Sequence, residues 1–148
     1  MRLARLTGMT TPAPQRTLIL VKPDGVARGC VGEVLRRVEA KGYVLLAVEL
    51  RSATPELLAQ HYAEHVGKPF YEPLMGFMSS GPSVAMIVEG ESVIEGVRLL
   101  AGKTNPLEAG PGTIRGDFAT ITRENLIHAS DSESSAEREI KIFFPGHA

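Results

Sequence analysis

The stretch Asn125-Leu126-Ile127-His128-Ala129-Ser130-Asp131-Ser132 places one histidine at the end of a short apolar run and follows it with a polar cluster able to start a helix. Imidazole is the side chain whose neutral form is available near pH 7, so His128 can act as a nucleophile or a base. A histidine in such a run can equally be a core residue satisfied by a neighbour, and alone it is a weak sign of a site. Lys22 is a second candidate. It closes the apolar run Arg16–Val21 and precedes Pro23, Asp24 and Gly25, which read as a turn. An ammonium is thus expected at the end of a strand, where the ordinary alternative is a solvated lysine.

Three other patterns resemble chemical motifs and fail on spacing or context. His61-Tyr62-Ala63-Glu64-His65 matches the H-x-x-E-H pattern of one zinc peptidase class. Its two histidines would share a helix face, but a third ligand must converge from a later element, so the pair reads as a partly exposed helix face. The segment from Gly96 to Gly102-Lys103-Thr104 has one residue too many for a phosphate-binding P-loop and follows a helix instead of a strand. Gly110 to Gly116 misses the dinucleotide fingerprint by one residue. The glycines and cations of both stretches can still contact phosphate. Cys30, the single cysteine, has no internal disulfide partner and reads as a small buried apolar residue.

The elements that must carry these residues follow from periodicity. Arg16–Val21 is nearly all apolar, as in a buried central strand. Val31, Val34, Leu35 and Val38 have helical spacing, and Lys41-Gly42 stops that helix. Tyr43–Leu50 is a second strand by its β-branched and aromatic content. Thr54-Pro55-Glu56 starts a helix expected to run to about His65, with Thr54 as N-cap and Pro55 at the first helical position. A further helix is expected over Glu72–Ser79, a third strand over Ser83–Val88 and a helix over Glu91–Ala101. Lys103–Arg123 has no period and holds two prolines and three glycines, a long loop of the kind usually kept for function. Leu126–His128 is a short fourth strand. Ser134-Ser135-Ala136-Glu137 reads as a capping box before the apolar stripe Ala136, Ile140, Phe143 and Phe144. The order β-α-β-(α-α)-β-α-loop-β-α predicts an α/β (α+β) domain with one sheet under helices, either doubly wound or a ferredoxin-like split βαβ.

Composition narrows the function classes. The chain has 148 residues and a net charge of −1, enough for one real core and without a global basic footprint for nucleic acid or an anionic membrane. No apolar run approaches the roughly 20 residues needed to span a bilayer. Residues 1–15 carry Arg2, Arg5, Pro12 and Pro14 without the apolar core of a secretory signal. They read as a flexible extension, within which Met9 offers an alternative start, and 16–148 as the folded domain.

Four segments then coincide: Thr17-Leu18-Ile19-Leu20-Val21-Lys22-Pro23-Asp24-Gly25, His61–Phe70, Pro111-Gly112-Thr113-Ile114-Arg115-Gly116-Asp117-Phe118 and Asn125–Ser132. With Ser80-Gly81-Pro82 and Thr104-Asn105-Pro106 they resemble nucleoside diphosphate kinase, in order and without an evident gap from Arg16 to Phe144. The resemblance implies the ferredoxin-like alternative, with a four-stranded antiparallel sheet covered by helices. It implies a ping-pong transfer of the γ-phosphate from a nucleoside triphosphate to a nucleoside diphosphate, through phospho-His128 attacked at Nδ1. Glu139 matches the residue that holds the ring, with Ser130 nearby. Lys22, Arg98 and Arg115 match the phosphate-binding cations and Thr104 the hydroxyl donor. Asn125 matches the residue near the ribose, Tyr62 a residue beside the histidine, and Phe70 the aromatic that stacks on the base.

The same resemblance implies that Mg2+ arrives on the nucleotide, with no protein metal ligand. It implies a homo-oligomer, a hexamer with a tetramer as alternative, while the lone Cys30 fits a cytoplasmic location and the charge and apolar runs point to neither membrane nor nucleic acid as partner. Purine and pyrimidine nucleotides are all expected to be accepted, because stacking tolerates every base. Two departures stand out: Ala129 occupies a position where the family usually has glycine, and Glu124 one where many members have arginine. The chain also ends soon after Phe144, which bears on oligomer contacts. The competing readings are a catalytically silent relative used for binding or regulation, and a nucleic-acid module, which the near-neutral charge disfavours.

Overall fold

The computed structural model describes residues 13–147. The extension expected at residues 1–15 therefore lies outside the described residues for positions 1–12, and Gln15 already belongs to the first strand. Four strands form one antiparallel sheet: β1 Gln15–Val21, β2 Val44–Arg51, β3 Ser83–Gly90 and β4 Ile127–Ala129, in the order β2-β3-β1-β4. The helices are α1 Pro23–Ala27, α2 Val31–Ala40, α3 Pro55–His61, α4 Tyr71–Met78, α5 Val93–Ala101, α6 Ile114–Phe118 and α7 Glu133–Phe143. This is the ferredoxin-like arrangement, with β1 in the middle of the sheet and β2 and β4 at its edges.

The central strand is apolar on both faces because helices cover both. Ile19 and Val21 face a core built with Val34 and Val38 of α2 and Val93 and Val97 of α5. Leu18 and Leu20 face a second core with Leu58 of α3, Met78 of α4 and Ile140 and Phe143 of α7. Cys30 is buried in the first core as a free thiol. Because Leu20 pairs with His128 across β1 and β4, the histidine stands on the face that α3 and α7 cover.

Several expected boundaries shift for physical reasons. Pro23-Asp24-Gly25 does not make an isolated turn. Pro23 opens the one-turn helix α1, where its missing N–H costs nothing. Thr54 caps α3 as expected, its Oγ1 accepting from Leu57 N at 3.1 Å. That helix stops at His61 instead of reaching His65, and Ala63–His65 is a separate 3-10 turn. The cap of α7 is Ser132, whose Oγ accepts from Ser135 N at 3.1 Å, and not the Ser134 box. In a serine-rich run the first hydroxyl on extended backbone takes the role. The fourth strand is displaced by one residue because Leu126 sits at φ 72, outside extended conformation.

The long loop contains α6, which carries Arg115. Thr113 Oγ1 accepts from Gly116 N at 3.0 Å and donates to the Gly110 carbonyl at 2.6 Å, folding the turn onto itself. A Cβ on Gly116 would lie 2.1 Å from the Gly110 carbonyl oxygen, a backbone atom. Gly116→Ala should therefore lose about 1–3 kcal/mol of stability through overpacking. Urea denaturation measures this, and an unchanged midpoint would mean that the loop shifts freely.

Candidate active site

His128, Glu139 and Ser130 form a chain of contacts between β4 and α7. His128 Nε2 lies 2.7 Å from Glu139 Oε1 and 3.2 Å from Oε2, and Ser130 Oγ donates to the same Oε1 at 2.9 Å. Glu139 is 2% exposed, so these partners are what satisfy its carboxylate. With Nε2 turned to the carboxylate, Nδ1 has no hydrogen-bond partner among the described residues. A hydrogen bond at one ring nitrogen sets the tautomer and leaves the other as the lone pair.

The histidine is delivered by strained backbone. Leu126 is fully buried at φ 72, where a side chain normally costs on the order of 1 kcal/mol. Three contacts hold it there. Its N–H donates to Asp24 Oδ2 at 3.1 Å, its carbonyl accepts from Lys22 N at 2.8 Å, and Gly25 packs so closely that a Cβ would lie 3.0 Å from the Leu126 oxygen. Ala129 has no positive φ and pairs with Ile19 in the sheet, so its methyl group is accommodated without strain.

Cations gather on one side of the ring. Arg115 is 9% exposed and donates to the carbonyls of Gly102 at 2.8 Å and Ile127 at 2.7 Å. Burial, then repulsion from Arg98, lowers its pKa to about 10. Arg98 reaches the Ala129 carbonyl at 3.4 Å. Lys22 Nζ donates to Asn125 Oδ1 at 2.8 Å, and Asn125 Nδ2 donates to the Thr104 carbonyl at 3.0 Å. Burial, then the charge of Arg115, lowers Lys22 to about 8, with Asp24 opposing. Tyr62 is buried beside the ring cluster, and burial with the Glu139 charge pushes its hydroxyl well above the usual phenol range.

A polar cavity of about 350 Å³ opens onto His128, lined by His61, Tyr62, Arg98, Thr104, Arg115 and Glu139 among others. A larger one, about 720 Å³, lies near the start of β1 and α7 beside Arg16, Glu137 and Lys141 and holds no comparable nucleophile–carboxylate pair. Of the residues singled out in the sequence, Lys22 and Asn125 stand as a bonded pair beside, and not among, the residues that line this cavity. Phe70 is not part of the wall: it is 48% exposed, edge-on to His65, with Lys68 Nζ 5.8 Å from its ring centre.

His61 is the residue that sequence reasoning misplaced. It is 5% exposed instead of lying on a partly exposed helix face, and its ring meets that of His128 edge-on at 4.7 Å. Burial foremost, then the nearby His128, Arg138, Lys22 and His65, lowers its pKa to about 2. The signal was present: Leu58, His61 and Tyr62 have the i, i+3, i+4 spacing of an inward helix face.

The ferredoxin-like sheet brings a carboxylate-held histidine and clustered cations to one cavity, and positioning with charge stabilisation is what phosphoryl transfer requires of a protein. Residues 15–148 match the family model described as "Nucleoside diphosphate kinase". The chain is 66% identical over 133 residues to the nucleoside diphosphate kinase of Streptomyces coelicolor, covering 89% of this chain and 97% of that protein. It is 56% identical over 135 residues to that of Mycolicibacterium smegmatis, covering 90% and 97%. The solved structure of a halophilic nucleoside diphosphate kinase from Halobacterium salinarum in complex with CDP superposes with a TM-score of 0.87 at 45% identity, covering 89% of this chain and 88% of that one. The chain belongs to the nucleoside diphosphate kinase family.

The burial of Lys22 has a measurable consequence. Folded Lys22 releases its proton near pH 8 and the unfolded residue near 10.5. Across that window the unfolded chain binds more protons, so this residue's contribution to stability rises with pH; below it, the penalty for burying the ammonium is fully present. Urea midpoints taken from about pH 7 to about pH 10 should rise relative to those of Lys22→Met. Parallel profiles for the two proteins would place the lysine in solvent.

Proposed function

We propose that this chain moves the γ-phosphate of a nucleoside triphosphate to a nucleoside diphosphate through a phosphohistidine at His128. The observation that carries the reading is the Glu139 carboxylate on Nε2, which presents the Nδ1 lone pair to the cavity. In the first half-reaction Nδ1 attacks the γ-phosphorus, the bond from that phosphorus to the β,γ-bridging oxygen breaks, and the diphosphate leaves with the electron pair. In the second, the terminal phosphate oxygen of another diphosphate attacks the phosphohistidine and the N–P bond breaks, restoring the ring. One site thus serves both transfers. While phosphorylated, the ring gains positive character that the buried carboxylate offsets.

The other residues take roles suited to a reaction that needs positioning and charge stabilisation. Arg98, Arg115 and Lys22 address the phosphates, with Thr104 as hydroxyl donor and Asn125 toward the ribose. Tyr62 keeps its proton and can donate beside His128. Phe70, exposed at the rim, offers a face on which any base stacks. The nucleotide would bring Mg2+ with it, and the metal would supply neutralisation of phosphate charge without a protein ligand. That fits a cavity in which Glu139, its buried carboxylate, is already engaged by His128 and Ser130.

Incubation with radiolabelled ATP alone should leave one acid-labile phosphate per chain at His128, released as triphosphate when a different diphosphate is added. His128→Ala should abolish both steps. Label on a serine, or turnover surviving in His128→Ala, would overturn the mechanism.

The chain also acts, in this reading, as a cytoplasmic homo-oligomer, a hexamer in preference to a tetramer. Among the described residues no helix is long and apolar enough to cross a membrane. The edge strand β2 exposes Val44, Leu46, Val48 and Leu50, and an apolar open edge is a template for pairing with a second chain. Sedimentation at micromolar concentration should give six protomers per particle; a monomer would sink the assembly proposal and leave the chemistry standing.

A further inference from the structure

His61, His128 and Glu139 come from α3, β4 and α7, yet each brings a ligand atom within 4.8 Å of the other two. His61 belongs to the H-x-x-E-H segment, whose two histidines do not share a helix in the fold. The convergence that the segment lacked along the chain is supplied by β4 and α7 instead. A second observation is independent of that clustering. His61 is 95% buried, since its exposure is 5%, and neither of its ring nitrogens has a hydrogen-bond partner. Buried polar atoms are nearly always paired, so an unpartnered imidazole against the His128 ring points to a ligand.

Two imidazoles and one carboxylate are a donor set that zinc takes, with a fourth position left for water. Magnesium prefers oxygen ligands and keeps its waters, so the two metals differ in where they bind. We propose that His61, His128 and Glu139 form an inhibitory site for Zn2+ or a similar nitrogen-seeking divalent cation. Because Glu139 lies against Nε2, the metal they share takes that nitrogen, and the neutral ring's single proton then sits on Nδ1, the position that attacks phosphorus. The ring stops being a nucleophile, and Glu139 is drawn from orienting it to holding the metal. Lys22, Arg98, Arg115 and Arg138 surround the site and oppose a further positive charge. The affinity is accordingly well short of that of a structural zinc site. Inhibition rests on His128 as the phosphate acceptor; metal binding does not.

The two claims are tested separately. Zinc chloride titrated into the wild-type protein without nucleotide or magnesium should bind one ion per chain by calorimetry. In histidine nitrogen NMR spectra the signals of His61 and His128 should move while that of His147 stays. Shifts confined to His65 or His147 would overturn the site, and this readout needs no variant to fold. His61→Gln and Glu139→Gln, checked for folding by circular dichroism, should each weaken zinc binding by about tenfold or more; undiminished affinity in both folded variants would also overturn it. Radiolabelled ATP with magnesium and buffered free zinc then addresses inhibition. Labelling of His128 should fall as the calorimetric site fills and return on chelation. Full labelling at saturating zinc would overturn the inhibition. An absence of labelling without zinc would instead remove the phosphohistidine reading and leave the calorimetry to decide the metal site.

Discussion

The hydrogen bond between His128 Nε2 and Glu139 ties the last helix to the last strand, and much of the site depends on it. A carboxylate as buried as Glu139 is costly unless its oxygens are satisfied. Its partners are the imidazole and the Ser130 hydroxyl, and Ser130 Oγ is itself bonded to the backbone of Leu18 in the central strand. The position of α7 is therefore constrained twice. Ile140 and Phe143 pack it on Leu18 and Leu20, and Glu139 fixes its rotation against the His128 ring. Loosening either would move the carboxylate and with it the direction of Nδ1.

The cations are held against their own repulsion. Arg115 and Lys22 are both lowered by burial and by a neighbouring positive charge, so assembling them is unfavourable in the free protein. Backbone carbonyls of Gly102 and Ile127 and the amide of Asn125 offset part of that cost and set the directions of the donors. An anion entering the cavity would relieve that repulsion, and donors already fixed in direction are what a preorganised site offers a transferring phosphate. Leu126 works in the same sense on the backbone: its positive φ is sustained by Asp24, Lys22 and the close approach of Gly25, and it turns the chain so that the next residues enter the sheet beside β1.

Much of the fold was legible in the residues. Arg16–Val21 announced a strand covered on both faces, and the helical spacing of Val34 and Val38 and of Val93, Ile94 and Val97 matches the buried faces of α2 and α5. Short elements were not legible. The helices α1 and α6 each have five residues, too few for a 3.6-residue period to show, and both lie among prolines or glycines that ordinarily mark turns. Periodicity left the ferredoxin-like and doubly wound sheets open, because it says which face is buried and nothing about which strands are neighbours; the family resemblance pointed to the ferredoxin-like sheet, and the strand order shows it.

For the site, the sequence by itself determined the chemistry available: an imidazole in an apolar run, cations on glycine-rich stretches, a lysine at a strand end. Those follow from residue type and local spacing. Only the tertiary structure decided which of them meet. Glu139 reaches His128 because α7 packs back across β1, and Arg115 of α6 reaches the carbonyl of Ile127, the residue before the histidine. Only the structure set the inward-facing His61 against the His128 ring and left its nitrogens unpartnered, since that placement arises from α3 packing on α7, a contact between residues more than 60 positions apart in the chain. Local sequence encodes the period of a face, but the field around a side chain is summed over every element packed against it, and that sum exists only in the folded chain.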